Sequence, residues 1–372
     1  MNTKASARET LALRVLSIVL LTGLALGLVS ACANDGMGLS SLTAKARSAA
    51  DVDALRHQAA AIFGALPSQI SNPANGLTDA KIDLGRQLYY DERLSKNHDI
   101  ACNSCHLLDN FGQDSEPTSP GHRGQRGGRN SPTVYNAAGH VAQFWDGRAP
   151  DVEAQAQGPV LNPIEMAMPS EAAVLTVLKS IPGYVEQFPQ AFPGEEPALT
   201  YANMARAIGA FERRLMTPGR FDAFVEGDPN ALSSAELDGL ELFIQTGCPT
   251  CHMGSTFGGT LYQKLGAMKP YPTNDQGRFD VTGNESDRFV FKVPSLRNIA
   301  ETGPYFHDGS VGSLEQAVSI MAEHQLAKTL TPEQNASIRT FLEALTGEVD
   351  EAYIAMPVLP ASGPTTPAPN PN

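Results

Sequence analysis

Four of the five cysteines fall into two short motifs, Cys102-Asn103-Ser104-Cys105-His106 and Cys248-Pro249-Thr250-Cys251-His252. On a helical turn the two thiols and the imidazole of each motif share one face. Two such thiols can form thioether bonds to the vinyl groups of a porphyrin, and the adjoining imidazole then reaches the iron from one side. C-x-x-C-H is the attachment signature of c-type haem. The rival chemistries are a zinc or redox C-x-x-C and, in an exported chain, a disulfide framework. Neither motif has further zinc ligands beside it. Two copies that use all four of these cysteines favour two covalently bound haems.

What a haem does depends on its second axial ligand. Two strong ligands favour electron transfer, and an open face admits a substrate to the iron. The remaining histidines, His57, His98, His122, His140, His307 and His324, and ten methionines are all candidates by type. Composition does not choose among them.

The N-terminus reads as an export signal. Lys4, Arg8 and Arg14 precede an apolar run from Leu16 to Val29, shorter than the ~20 residues that span a bilayer. The run ends in Val29-Ser30-Ala31-Cys32, which resembles a lipobox, so Cys32 is expected to be lipidated and to anchor the protein to a membrane. Ordinary cleavage at Ala31-Cys32-Ala33 is the alternative. Either way the expected location is the periplasm. The formal net charge is −13, and loss of the signal leaves about −15. An acidic surface argues against nucleic acid and suits a basic protein partner.

Helices must position the motifs. The apolar periodicity predicts helices over Asp51–Leu66, Asp79–Tyr90, Glu171–Lys179 and Leu199–Leu215, with another capped by Ser233 or Ser234 and ending near Gly247. Ser313 opens one through Met321, and Thr331-Pro332-Glu333 opens one that ends at Gly347. Residues 107–150 are rich in Gly, Pro, Asn and Arg and read as ordered loop. No run of alternating strands stands out. The expected fold class is mostly α, with two cytochrome c-like haem domains and long ordered loops. Residues 1–31 are the signal peptide and 32–72 a tether with an N-terminal helix. The haem domains are 73–230 and 231–356, and 357–372 is a Pro-rich disordered tail.

Several longer stretches now bear comparison. Leu84-Gly85-Arg86-Gln87-Leu88-Tyr89-Tyr90 leads into the first haem motif, and Arg129-Asn130-Ser131-Pro132-Thr133-Val134-Tyr135-Asn136 follows it. Phe144-Trp145-Asp146-Gly147-Arg148 and Asn162-Pro163-Ile164-Glu165-Met166 come next, then Val293-Pro294-Ser295-Leu296-Arg297-Asn298 and Tyr305-Phe306-His307-Asp308-Gly309. From about Asn72 to Val349 the chain resembles the bacterial di-haem cytochrome c peroxidases.

The resemblance implies unlike roles for the two haems. The haem on Cys102, Cys105 and His106 would be peroxidatic, with His122 a displaceable ligand in a Gly-rich loop. Glu165 and Gln155 would form the peroxide pocket. A carboxyl there can take a proton from one peroxide oxygen and give it to the other. The haem on Cys248, Cys251 and His252 would carry Met321 as its other ligand, which raises the potential and suits electron entry. Trp145 would lie between the haems. Asn130, Thr302 and Pro304 would bind calcium through oxygen ligands. The implied reaction is reduction of hydrogen peroxide by a small periplasmic cytochrome c or cupredoxin, in a homodimer. Two alternatives are a related di-haem oxidase that modifies a protein, which has Tyr where Met321 stands, and a non-catalytic di-haem carrier or sensor.

Overall fold

Gly85 and Gly239 mark two places where helices cross too closely to admit a side chain. A computed structural model describes residues 47–372. The expected signal segment, Cys32 and most of the tether lie outside the described residues. In chain order the helices are α1 (Ala49–Ile62), α2 (Asp79–Tyr90), α3 (Cys102–Cys105), α4 (Val152–Leu161), α5 (Glu171–Lys179), α6 (Pro182–Ala191) and α7 (Tyr201–Glu212). Then come α8 (Arg220–Glu226), α9 (Ser234–Thr246), α10 (Phe279–Thr282), α11 (Leu314–Leu326), α12 (Pro332–Glu343) and α13 (Glu351–Ile354). One antiparallel pair joins β1 (Tyr262–Lys264) to β2 (Val290–Lys292), with Tyr262 opposite Lys292. Strands this short show no readable alternation, which is why the sequence concealed them. Helices α4, α6 and α8 were also hidden; α4 and α6 each contain an internal proline.

The helix starts follow local chemistry. Thr78 and Thr200 accept hydrogen bonds from the backbone N–H groups of Lys81 and Asn203. Ser233 with Glu236, and Thr331 with Gln334, form reciprocal capping boxes. Each such cap is worth about 1 kcal/mol. Helix α9 stops at Gly247, whose φ of 97° suits glycine and turns the chain straight into Cys248.

Helix α2 packs on α7, and α9 packs on α12. A Cβ on Gly85 would lie 1.9 Å from the carbonyl oxygen of Ala207, and one on Gly239 would lie 2.2 Å from that of Ser337. The two halves are therefore built on the same crossed helix pair. The pattern Ile208, Phe211, Leu215 on and after α7 recurs as Ile338, Phe341, Leu345 on and after α12, and all six side chains are buried.

The two cores draw the halves differently from the expected boundaries at 73, 230 and 356. Leu55 and Ala59 from α1, Phe63 just after it, and Phe221, Phe224 and Val225 from α8 pack into the second core with Phe243, Phe257 and Phe341. Val349, Tyr353 and Ile354 pack instead on the first core. Each half is thus closed by a segment from the far end of the chain. Local periodicity cannot reveal which core an amphipathic helix joins.

The tail is a further departure. Residues 357–372 hold no helix or strand, but they lie against the first half. The Asn370 N–H donates to the Lys96 carbonyl at 2.9 Å, and the Ser180 and Thr366 hydroxyls are 2.8 Å apart. Arg93 donates to the Ser362 hydroxyl at 2.9 Å. Proline-rich chain loses little entropy on being held extended, so a few bonds suffice to dock it.

Candidate haem sites and the pocket beside the first

Helix α3 carries Cys102 and Cys105, and His106 closes it with its N–H on the Cys102 carbonyl at 3.0 Å. The Tyr89 hydroxyl donates to the His106 carbonyl at 2.8 Å, which ties the motif to α2. The Cys102 and Cys105 thiols are free and their pKa values are raised by burial, that of Cys105 to about 11. Burial lowers the pKa of His106. Its Nδ1 is buried without a hydrogen-bond partner.

His122 lies in a one-turn loop closed by pairing of Pro120 with Arg126. Although sequence context suggested a mobile glycine-rich loop, Gly121 serves close packing: a Cβ there would lie 2.0 Å from the carbonyl oxygen of Ile164. The His122 N–H donates to the Glu165 carbonyl at 2.7 Å. Gly124, Gly127 and Gly128 face open space. The His122 ring is only 5% exposed, and its Nε2 is buried with no partner. It is not a solvated surface histidine.

Glu165 stands beside this loop. Desolvation raises its carboxyl pKa, opposed by the Arg148 charge and a hydrogen bond from Asn162. The Asn162 amide donates to its Oε1 at 2.8 Å. The carboxylate is near enough to Cys105 to help raise that thiol's pKa. Glu165 therefore lies near the first haem motif. A pocket of about 320 Å³ opens beside it, lined by Phe144, Arg148, Ala154, Gly158, Pro159 and Asn162. The Arg148 guanidinium stacks 3.4 Å from the Phe144 ring centroid. Gln155 is half-buried on α4, one turn before Pro159, but it does not line this pocket. The amide that contacts Glu165 belongs to Asn162, a role that sequence reasoning missed. Its signal was available, since Asn162-Pro163-Ile164-Glu165 places a short amide one turn ahead of the carboxylate.

In the second half the His252 Nδ1 is 3.1 Å from the Phe257 carbonyl, which leaves Nε2 free to coordinate. Burial lowers the His252 pKa to about 4 and raises that of Cys248 to about 12. Cys248, Cys251 and His252 line a cavity of about 230 Å³, and Met321 reaches the same cavity from α11. Its walls are largely apolar, with Phe243, Leu265, Val293 and Leu342 among them. Free, half-buried thiols, an imidazole with one nitrogen committed and the other free, and a thioether in an apolar chamber fit a covalently held haem with His and Met ligands. In the first half, the free thiols of Cys102 and Cys105 and the unpartnered Nε2 of His122 fit the same kind of group.

Three other histidines have neighbours of their own. His57 is exposed beside Asp53, the His324 Nδ1 is 2.9 Å from the Lys269 carbonyl, and the His307 Nε2 is 3.0 Å from the Thr273 hydroxyl. Trp145 joins the halves: its indole N–H donates to the Asn130 carbonyl at 2.9 Å, and its own carbonyl accepts from the Lys292 N–H at 2.8 Å. Asn130, Thr302 and Pro304 line the same cavity as Met321.

Two covalent haem sites on paired cytochrome-like halves define a di-haem c-type cytochrome. Residues 79–230 match the family described as di-haem cytochrome c peroxidase. The cytochrome c551 peroxidase of Pseudomonas aeruginosa is 43% identical over 86% of this chain and 94% of its own length. That of Nitrosomonas europaea is 48% identical over 78% of this chain and 86% of its own. Among solved structures, a MauG-like protein associated with microbial copper homeostasis superposes with a TM-score of 0.68 at 27% identity, covering 82% of this chain and 97% of that one. The chain belongs to the di-haem cytochrome c peroxidase family, and it is an oxidoreductase of the peroxidase class.

Proposed function

We propose that the protein reduces hydrogen peroxide, H2O2 + 2 e⁻ + 2 H⁺ → 2 H2O, with Glu165 as the proton-transfer group and the two halves dividing chemistry from electron entry. Cys102, Cys105, His106 and His122 hold one haem, and Cys248, Cys251, His252 and Met321 hold the other. Those haems, when bound, supply the redox chemistry at iron. The observation that carries the reading is the placing of Glu165: its backbone holds the His122 loop while its carboxyl, whose pKa burial raises, lies near Cys105 of the first motif. A carboxyl so placed can both accept and return a proton. Asn162 orients it, and Arg148 bounds the pocket and favours its charged form. Gln155, on the same helix as the pocket residues Ala154 and Gly158, would orient peroxide. Release of His122 needs only that its short loop swing away from residue 165.

The donor is a small periplasmic cytochrome c or cupredoxin, suited to an acidic protein. The protein is periplasmic, tethered through lipidated Cys32, and works as a homodimer. Among the described residues no helix is long and apolar enough to cross a membrane. Calcium binds at Asn130, Thr302 and Pro304. The Asn130 amide nitrogen is spent on the Glu116 carbonyl at 2.9 Å, which leaves its oxygen for a cation.

The test is peroxide turnover with a reduced donor, in the wild type and in Glu165→Gln. The variant is expected to keep both haem spectra and lose ~10²–10⁴-fold in turnover. Unchanged turnover discards the role of Glu165. A wild type that carries both haems yet turns over no peroxide discards the function.

A further inference from the structure

Lys292 and His140 form a buried basic pair. The Lys292 Nζ is 3.1 Å from the His140 Nδ1, and both side chains line the cavity that holds Cys248, His252 and Met321. No carboxylate among the described residues makes an ion pair with Lys292, and desolvation alone pushes its pKa down to about 8. With Nδ1 accepting from the ammonium, the His140 Nε2 carries the ring's N–H. That atom is buried and has no partner. The pair is therefore a set of donors turned into an apolar chamber with no acceptor supplied by the chain. A buried cation without a counter-charge is strongly disfavoured, so this arrangement points to an anion that the polypeptide does not provide.

The pair is firmly built. The His140 ring packs over Gly259, where a Cβ would lie 2.2 Å from it, and the Val141 N–H donates to the Gly259 carbonyl at 2.7 Å. Lys292 is held in β2, opposite Tyr262.

Its position has a counterpart. The chain around Asn130-Ser131-Pro132 leading to Asn136 repeats as Lys292-Val293-Pro294 leading to Asn298. From those asparagines to Phe144 and Phe306 the spacing is the same, which sets His140 against Thr302 and Ala142 against Pro304. Lys292 and His140 thus occupy, by internal repeat, the places of Asn130 and Thr302. One set of places, Asn130 with Thr302, offers oxygens for a bound cation, and its repeat counterpart, Lys292 with His140, carries a cation of its own.

We propose that Lys292, steadied by His140, is the built-in counter-cation for the propionates of the haem on Cys248 and Cys251, and that it helps hold that haem at high potential. The inference rests on the two-haem reading. A positive charge beside a propionate favours the reduced, less positive iron, so its loss lowers the potential. Lys292 is a positioning and electrostatic residue here and takes no part in proton transfer.

The experiment compares holoprotein of Lys292→Met and Lys292→Arg with the wild type by optical redox titration, after haem content has been counted by pyridine haemochrome. Lys292→Met is expected to bind two haems and to shift the second haem's reduction equilibrium about tenfold toward the oxidised form, ~59 mV for one electron. The first haem should be unmoved, and Lys292→Arg should restore most of the shift. An unchanged second haem, an equal or exclusive shift of the first haem, or no recovery with arginine overturns the proposal. Should Lys292→Met fail to load both haems, resonance Raman of Lys292→Arg decides. A displaced propionate bending mode at near-wild-type potential supports the pairing, and an unmoved mode overturns it. Fewer than two haems in the wild type would instead sink the reading beneath it.

Discussion

The two halves share a scaffold and differ in what approaches the far side of each haem site. Both cross a helix pair at a glycine, Gly85 or Gly239. Both follow the haem histidine with a left-handed phenylalanine, Phe111 at φ 51° and Phe257 at φ 50°. Both make the same tight turn at Phe144-Trp145-Asp146-Gly147 and Phe306-His307-Asp308-Gly309, with positive φ at the phenylalanine and the glycine. Asn136 and Asn298 even clamp the same residue, each donating to the Thr217 hydroxyl, at 2.8 and 2.9 Å. The far sides do not match. In the second half Met321 comes from the middle of α11, whose backbone is fixed by its own hydrogen bonds. In the first half His122 comes from a one-turn loop held to residue 165. On the proposed function, a ligand on a helix stays and one on a short loop can let go, so the division of labour resides in the segments that do not repeat.

The sharpest way to break the contrast is Met321→Leu. Its near-isosteric volume should cost under ~1.5 kcal/mol of stability. The second haem's reduction equilibrium should fall by more than a hundredfold, ~120 mV, in a redox titration with the first haem unmoved. An unmoved second potential would remove Met321 from the iron. Next comes Gly121→Ala. Its Cβ would strike the Ile164 carbonyl and the Glu165 Cα and so displace the Glu165 carboxyl. Peroxide turnover should drop ~10²-fold, the usual penalty for misplacing a site by an ångström, while the second haem's spectrum stays as it was.

The shared scaffold can be tested by paired substitution. Gly85→Ala and Gly239→Ala each drive a methyl group into a backbone carbonyl. Each should lower stability by ~1–3 kcal/mol in thermal or denaturant unfolding. Loss in only one half would show that the crossings are not equivalent. The smallest effect concerns a buried charge. Glu212 on α7 falls where α12 has Leu342, and burial raises its pKa to about 8, with the nearby Glu153 adding to the rise. A carboxyl raised in the folded state binds its proton more tightly there than in the unfolded chain. Its contribution is complete below the unfolded pKa near 4.5 and is lost as pH rises toward 8. Glu212→Gln should remove at least ~1.4 kcal/mol of that decline between pH 4.5 and 8. A stability profile identical to the wild type's would show that Glu212 is ionised throughout.

Much of this was readable from residue type and spacing. The C-x-x-C-H motifs gave both haem attachments, and capping residues such as Ser233, Ser313 and Thr331 located helix starts because those bonds form within one turn of chain. Glu165 and Met321 were identified through the family resemblance, since neither residue differs by type from a surface carboxylate or a core methionine. Asn162 and the Lys292–His140 pair went unnoticed. Their meaning depends on burial and on the lack of an acceptor, and composition carries neither. Gly121 was read as a source of freedom, yet its role is close approach to a backbone 43 positions away in sequence.

The sequence by itself determined which atoms can bind porphyrin and where helices begin, because covalent chemistry and capping act over a few residues. Tertiary structure alone decided which core each terminus closes, which amide meets Glu165 and which cations are left without a counter-charge. Those outcomes depend on contacts between segments far apart in the chain, where packing and desolvation set the energy and no local pattern records the result.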